Sequence, residues 1–331
     1  MSRYFSLTGM LGVFFLNLNA NVIFVKQGGT GSGTSWGDAT GDLTSALFIA
    51  QPEDSIWVAQ GVYFPTSQKD RRVAFTIPNS AKVFGGFSGN ETSFTQRDFR
   101  KNKTVLSGNI GSREKQADNS YTVVFIGYAD QSTILDGFII ADGTADGTGP
   151  AGDRDRCGAG LYVDGSGKGN RAAPQIINCI FQNNYARDGG AVYLNGRGGQ
   201  CNATFRNCEF QNNRVDLDGG AVFNDGRHGG EASPSFLNCI FYKNQGNYGG
   251  AICNYGGRGV SSPTIQSCVF RNNEALLRGG AIFNMDVEGK VMPVLNACQF
   301  IDNQAVAGNG IYNFSNADGN GKTIMTGQLM N

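Results

Sequence analysis

The sequence predicts an all-β chain, a right-handed parallel β-helix of about eight or nine coils with a short N-terminal capping helix. Three observations carry that expectation. A phrase of about thirty residues recurs from Cys179 to Asn313, with cysteines at Cys179, Cys208, Cys239, Cys268 and Cys298, spaced 29, 31, 29 and 30 apart. Each cysteine has the same escort: Phe181, Phe210, Phe241, Phe270 or Phe300 two residues on, then Asn184, Asn213, Asn244, Asn273 or Asn303 three beyond that. A glycine pair next opens an apolar strand, from Gly189-Gly190-Ala191-Val192 to Gly279-Gly280-Ala281-Ile282, with Gly308-Asn309-Gly310-Ile311 as a degenerate last copy. A fixed period of this length, without long amphipathic helical patterns, marks a solenoid built by stacking.

The offsets place the bends. An apolar residue sits three before each cysteine (Ile176, Phe205, Phe236, Ile265, Leu295), and alternation along a strand cannot keep both inside at an odd offset. The chain therefore turns between them. The residue before the cysteine is Asn178, Asn207, Asn238, Ser267 or Ala297, and Asn tolerates the left-handed backbone of a tight corner. The same offset separates Phe from Asn and marks a second corner; the glycine pair marks a third. Equivalent residues of successive coils then lie about 4.8 Å apart, so a stacked Asn column passes amide hydrogen bonds from coil to coil.

From the N-terminus, residues 1–20 hold Arg3, an apolar run from Leu7 to Leu18 and a closing Ala20. They read as a secretory signal peptide, against the competing reading of a first buried strand or helix. The remainder, 21–331, reads as a single β-helix domain with regular repeats over 158–313. A strand is expected at 22–25, and a helix follows Asp42, an N-cap candidate. That helix covers a first coil that would otherwise expose unpaired backbone. Further strands are expected at 56–64, 73–77, 82–87, 104–108, 121–126 and 133–142. In the last of these, Leu135 to Ile140 aligns with Ile176 to Phe181, so Gly137 stands where later corners carry Asn.

Eight cysteines in an exported chain ordinarily suggest disulfides. Five of them, however, share one coil position with nearly parallel Cβ vectors, and an odd column cannot pair fully. They read as a buried free-thiol stack acting as apolar filler. Cys253 joins a column of Tyr193, Phe223, Phe283 and Tyr312, while Cys157 and Cys201 fall in loops. With no CxxC and one histidine, no metal site is expected. No cofactor is expected either, for want of a phosphate-cradling loop or a calcium-binding nonapeptide array. Charges balance at 27 basic and 27 acidic residues without blocks of either sign, which leaves no footprint for nucleic acid or an anionic membrane.

The stretches Phe181-Gln-Asn-Asn184, Phe210-Gln-Asn-Asn213, Phe241-Tyr-Lys-Asn244 and Phe270-Arg-Asn-Asn273, each followed by Gly-Gly-Ala-Val or Gly-Gly-Ala-Ile, resemble the paired FxxN and GGA(I/L/V) repeats of the polymorphic outer-membrane proteins of chlamydiae. Similar repeats occur in other secreted bacterial β-helix proteins. The block from Val25 to Thr66, with Trp36, the helix and Ile56-Trp-Val-Ala59 in that order, also resembles the opening of many such proteins. The resemblance implies the passenger architecture of a surface-exposed adhesin. Proteins of that family are delivered by a C-terminal β-barrel, for which a sequence running to Asn331 has no room, so the delivery route stays open.

The loop between the glycine-led strand and the cysteine strand leaves each coil at one edge. It stacks Asp164, Lys168 and Arg171; Arg197; Asp225, Arg227 and His228; Arg258; then Asp286 and Glu288. Lys168, Arg171, Arg197, Arg227 and Arg258 are the candidate contacts for an acidic polysaccharide or another cell-surface ligand, against the plainer reading of solvated loop charge. A polysaccharide lyase needs a base and a group that neutralises the uronate carboxylate, and Arg227, His228 and Arg258 supply those residue types. A hydrolase reading rests on Asp188 and Asp218, one before each of two consecutive glycine pairs; an intercoil Asp to Arg bridge explains the same column without catalysis. An exported adhesive or glycan-binding rod stands first, and a lyase or other carbohydrate-active enzyme second.

Overall fold

The computed structural model describes residues 20–316 and 322–326, so the expected signal peptide lies outside the described residues except for Ala20. The strands form three long parallel sheets, one per side of the coil. The first runs through ten strands from Val22–Val25 to Ile324–Thr326, the second through eight from Gly61–Tyr63 to Gln299–Ile301, and the third through eight from Phe75–Ile77 to Ile311–Ser315. Ten strands in the first sheet make about ten turns, slightly more than the repeat count suggests. The strand beyond that count is Ile324–Thr326, which follows the last copy of the repeat and carries none of its marks. A fourth, five-stranded sheet from Thr144–Ala145 to Glu274–Arg278 follows the second corner.

The register stacks like on like. Phe181, Phe210, Phe241, Phe270 and Phe300 are direct partners in the second sheet, with rings nearly parallel and centroids 4.6 to 5.1 Å apart. The five column cysteines beside them are fully buried. All eight cysteines are free and buried. The column thiols donate to backbone carbonyls of the preceding coil, as Cys208 Sγ does to Ile176 O at 3.4 Å. Burial pushes the thiol of Cys179 up to about 12 and that of Cys298 to about 11, which leaves almost no thiolate to oxidise. Cys201 proves to be a core residue in a short strand, Gln200–Cys201, paired with Arg171–Ala172. Cys157 bridges to Asp188. Neither lies loose in a loop.

The first corner is left-handed throughout, with φ of 51° to 53° at Asn178, Asn207, Asn238, Ser267 and Ala297, and 82° at Gly137. Gly137 takes that role because Leu135 pairs with Ile176 and Ile139 with Ile180, the alignment expected from sequence. At the second corner the left-handed residue is not the ladder Asn but the one before it: Asn183, Asn212, Lys243, Asn272 and Asp302. That leaves the ladder Asn free to turn inward. Asn213 Nδ2 donates to Phe181 O and to Asn244 Oδ1, both at 3.0 Å, and Asn244 Oδ1 also accepts the Asn213 backbone N–H at 3.2 Å. Glycine is obligatory at the third corner, where a Cβ on Gly219 would stand 2.2 Å from Val222 O.

A second ladder runs inside the third sheet. Asn224 donates to Asn254, Asn254 to Asn284 and Asn284 to Asn313, at 2.6 to 2.7 Å. At the N-terminal end, Asp42 caps the helix Leu43–Ile49 by accepting from Thr44 N and Ser45 N. Its buried residues Leu43, Ala46 and Leu47 join the core that begins with Val25, Ile56 and Val58.

Two outcomes are expected. Thiol labelling of the folded protein is slow, and labelling after denaturation releases eight thiols; an oxidised pair would contradict the packing. Asn244→Leu leaves Asn213 and Phe210 O without their partners and costs about 1–3 kcal/mol. Denaturant titration measures it, and an unchanged midpoint would place the ladder outside the cooperative core.

Candidate functional site

The charged loop edge sits at the end of the third sheet. Along Leu161–Asp164 and its partners, Leu161 and Val163 point into the core while Tyr162 and Asp164 point out. The outward positions make an aromatic column of Tyr162, Tyr193, Phe223, Phe283 and Tyr312, interrupted by Cys253. It is nonetheless buried, with Tyr193 at 0% and Phe223 at 3% exposure. A preceding loop lies over it, and Tyr162 Oη donates to Gly152 O at 2.7 Å. Where Cys253 leaves out a ring, Tyr248 leans in, 4.9 Å from Phe283.

Asp225 is the focus of this edge. Its carboxylate is fully buried and accepts from Arg227 Nε at 2.7 Å and Nη2 at 2.8 Å, and also from Arg197 Nε and Tyr193 Oη. Burial by itself would raise this carboxyl, but the Arg227 hydrogen bonds and the two guanidinium charges outweigh it and hold it below the usual carboxylate range. Arg227 in turn lies 4.5 Å over the Tyr255 ring. Burial opposes its charge, yet Asp225 holds its proton more firmly than in a free guanidinium.

The structure thus divides the residues expected in this patch. Arg197 and Arg227 converge from neighbouring coils on one acid. Arg258, exposed, stands 3.6 Å from Glu288. His228 is exposed at a left-handed bend, as is Arg258 one coil on, and Lys168 and Arg171 are exposed further up the edge. The three lyase candidates do not meet: Arg227 turns inward to Asp225, and an arginine held protonated cannot accept a proton. The loop edge pairs Arg197, Arg227 and Arg258 with acids and leaves Lys168 and Arg171 exposed, so it is not a continuous basic surface.

Asp188 and Asp218 do fall on adjacent coils, where Gly189 N donates to Asp218 O at 3.0 Å. Burial pushes both carboxyls up. For Asp218, the charge of Asp188 adds to that effect and brings it to about 7. Asp188 is 3.9 Å from Arg187 Nη1. The intercoil Asp to Arg bridge is not formed: among the described residues no cation lies within ion-pair distance of Asp218, and Arg278 sits 4.9 Å over the Tyr312 ring instead.

A different feature is concave. A groove of about 750 Å³ follows the second corner through six successive left-handed bends, at Asp142, Asn183, Asn212, Lys243, Asn272 and Asp302. Five steps of about 4.8 Å make it roughly 24 Å long. Its other wall is the row that opens the next strands: Tyr185, Arg214, Gln245, Glu274 and Gln304. The repeat pattern marks the ladder Asn because it never changes. The groove residue is the one in front of it, whose variation from coil to coil was the available signal.

One pH effect follows from Asp218. The unfolded chain releases this proton near 3.8 and the folded chain near 7, so between those values the unfolded state binds fewer protons and stability falls as pH rises. Asp218→Asn removes that loss. In thermal melts the variant is expected to gain on the wild type at pH 8 and not at pH 4; an equal difference at both would rule out the titration.

A family model described as a right handed beta helix region matches residues 153–324. Among solved structures, the chain is similar to the pectin methylesterase from Aspergillus niger, at 15% identity and a TM-score of 0.49, over 93% of this chain and 86% of that one. It is also similar to pectate lyase Pel9A, at 12% identity and a TM-score of 0.42, over 90% and 80%. No curated protein matches the sequence. The matched span is more than half of the chain and covers its most regular coils, and the chain belongs to the right-handed β-helix family.

Proposed function

We propose that the chain is a carbohydrate-binding β-helix that takes an extended polysaccharide along the second-corner groove, outside the cell, as a surface-associated rod. The groove is the observation that carries this reading. It is long, open and lined by side-chain amides at Asn183, Asn212, Gln245, Asn272 and Gln304. Each amide offers both a donor and an acceptor, which suits a polymer of hydroxyls repeating along one axis. Export is supported by the leader-like residues 1–20, and a surface role by the likeness of the FxxN and GGA repeats to those of the polymorphic outer-membrane proteins.

A second reading, cleavage of a polysaccharide at a site outside the groove, is favoured by Asp218, which precedes a third-corner glycine pair. A carboxyl that keeps its proton near neutrality is what a general acid requires. For a lyase, His228 is the exposed base candidate, since Arg227 is committed to Asp225 and Arg258 stands beside Glu288.

A glycan array probed with the folded chain tests both readings. Gln245→Trp fills the groove and is expected to lower binding at least about tenfold, the worth of one or two lost hydrogen bonds, while Arg258→Ala leaves it unchanged. The opposite pattern would move the site to the loop edge. Shortened or unsaturated sugars in the reaction mixture would establish turnover.

A further inference from the structure

Three arginines of the loop edge have acid partners. Arg197 and Arg227 at the loop edge are tied to Asp225, and Arg258 faces Glu288. In the groove the situation differs. Among the described residues, no carboxylate lies within ion-pair distance of Arg214 or Lys243. Both are exposed and are held by aromatic rings instead: Arg214 lies 5.0 Å over Tyr185, and Lys243 Nζ lies 4.9 Å over Tyr242. A ring face orients a cation without cancelling its charge.

These two cations occupy adjacent coils at the middle of the groove, since Arg214 pairs with Gln245, two residues after Lys243. Acids lie on either side of them. Asp142 lines the groove toward the N-terminal end, and Glu274 and Asp302 line it toward the C-terminal end. The charge order along the axis is acid, two cations, then two acids.

We propose that the groove selects a polysaccharide in which an isolated acidic sugar is flanked by neutral ones, and that its acidic group is seated between Arg214 and Lys243. The proposal rests on the groove being the glycan site and adds its specificity. A neutral polymer leaves the two cations unmatched. A polymer with an acid on every unit places its other charges against Asp142, Glu274 and Asp302, and like charges at close range exclude a partner as effectively as a good contact attracts one. Neutral units on both sides of the seated acid, out to the ends of the groove, avoid that repulsion and present hydroxyls to the Asn and Gln rows.

The test is calorimetric titration of the folded chain with three probes of matched length. They are an N-acetylglucosamine oligosaccharide with a single glucuronate at its centre, the same oligosaccharide with its carboxyl reduced to an alcohol, and an oligogalacturonate. The first is expected to bind at least about tenfold more tightly than either of the others, the worth of one charge-assisted contact. Lys243→Asn and Arg214→Gln copy residues found at the same coil position in neighbouring coils, Asn212 and Asn272 for one and Gln245 and Gln304 for the other, so both variants keep the fold. Each is expected to lose about tenfold toward the singly acidic probe and nothing toward its reduced form. Equal binding of the singly acidic and reduced probes, or tighter binding of the oligogalacturonate, overturns the charge register while leaving the groove as a glycan site. Binding of all three that survives Gln245→Trp, or no binding of any, overturns the groove reading as well.

Discussion

Everything in this molecule depends on the coil-to-coil backbone ladder. Parallel strands about 4.8 Å apart, in register over ten turns, oblige every side chain to accept its own counterpart above and below. Residues that bond or pack with themselves satisfy this condition. Asn does so through an amide that donates upward and accepts from below, which is why one ladder runs from Asn184 to Asn303 and a second from Asn224 to Asn313. Phe does so by stacking flat.

Charge does not satisfy it. Identical ions at that spacing repel, so charged columns in this chain are mixed or interrupted. The loop edge resolves the conflict by drawing Arg197 and Arg227 onto Asp225. At Asp188 and Asp218 two acids do coincide, and burial together with the Asp188 charge keeps the Asp218 carboxyl protonated to about pH 7. In the groove the conflict is left to solvent, where Arg214 and Lys243 rest on aromatic rings and the acids lie further along.

The parts legible in the sequence are those governed by repetition. The cysteine, phenylalanine and first asparagine columns were readable because one residue type persists at one offset, and Gly137 could be aligned with Asn178 because both meet the same backbone demand. The Asn224 ladder was also periodic, with Asn three residues after Ala221, Ala251, Ala281 and Gly310 but Leu194 after Ala191, and its polar residues sit in what reads as an apolar strand. Burial of Tyr193 and Asp225 was not legible at all. Both point away from the core, and they are covered only because a distant loop returns over the third sheet. The groove was hidden by a shift of one residue: the second corner bends at Lys243 and its counterparts, so the ladder Asn turns in and the variable residue faces out.

That division of labour at the second corner separates two kinds of selection. The inward Asn answers to folding, and a change there is felt by three coils at once. The outward residue needs only to tolerate a left-handed backbone, a condition met here by Asn, Lys and Asp alike. A lineage of such chains can therefore rewrite what the groove recognises one coil at a time, and can lengthen or shorten it by whole repeats, without renegotiating the interior.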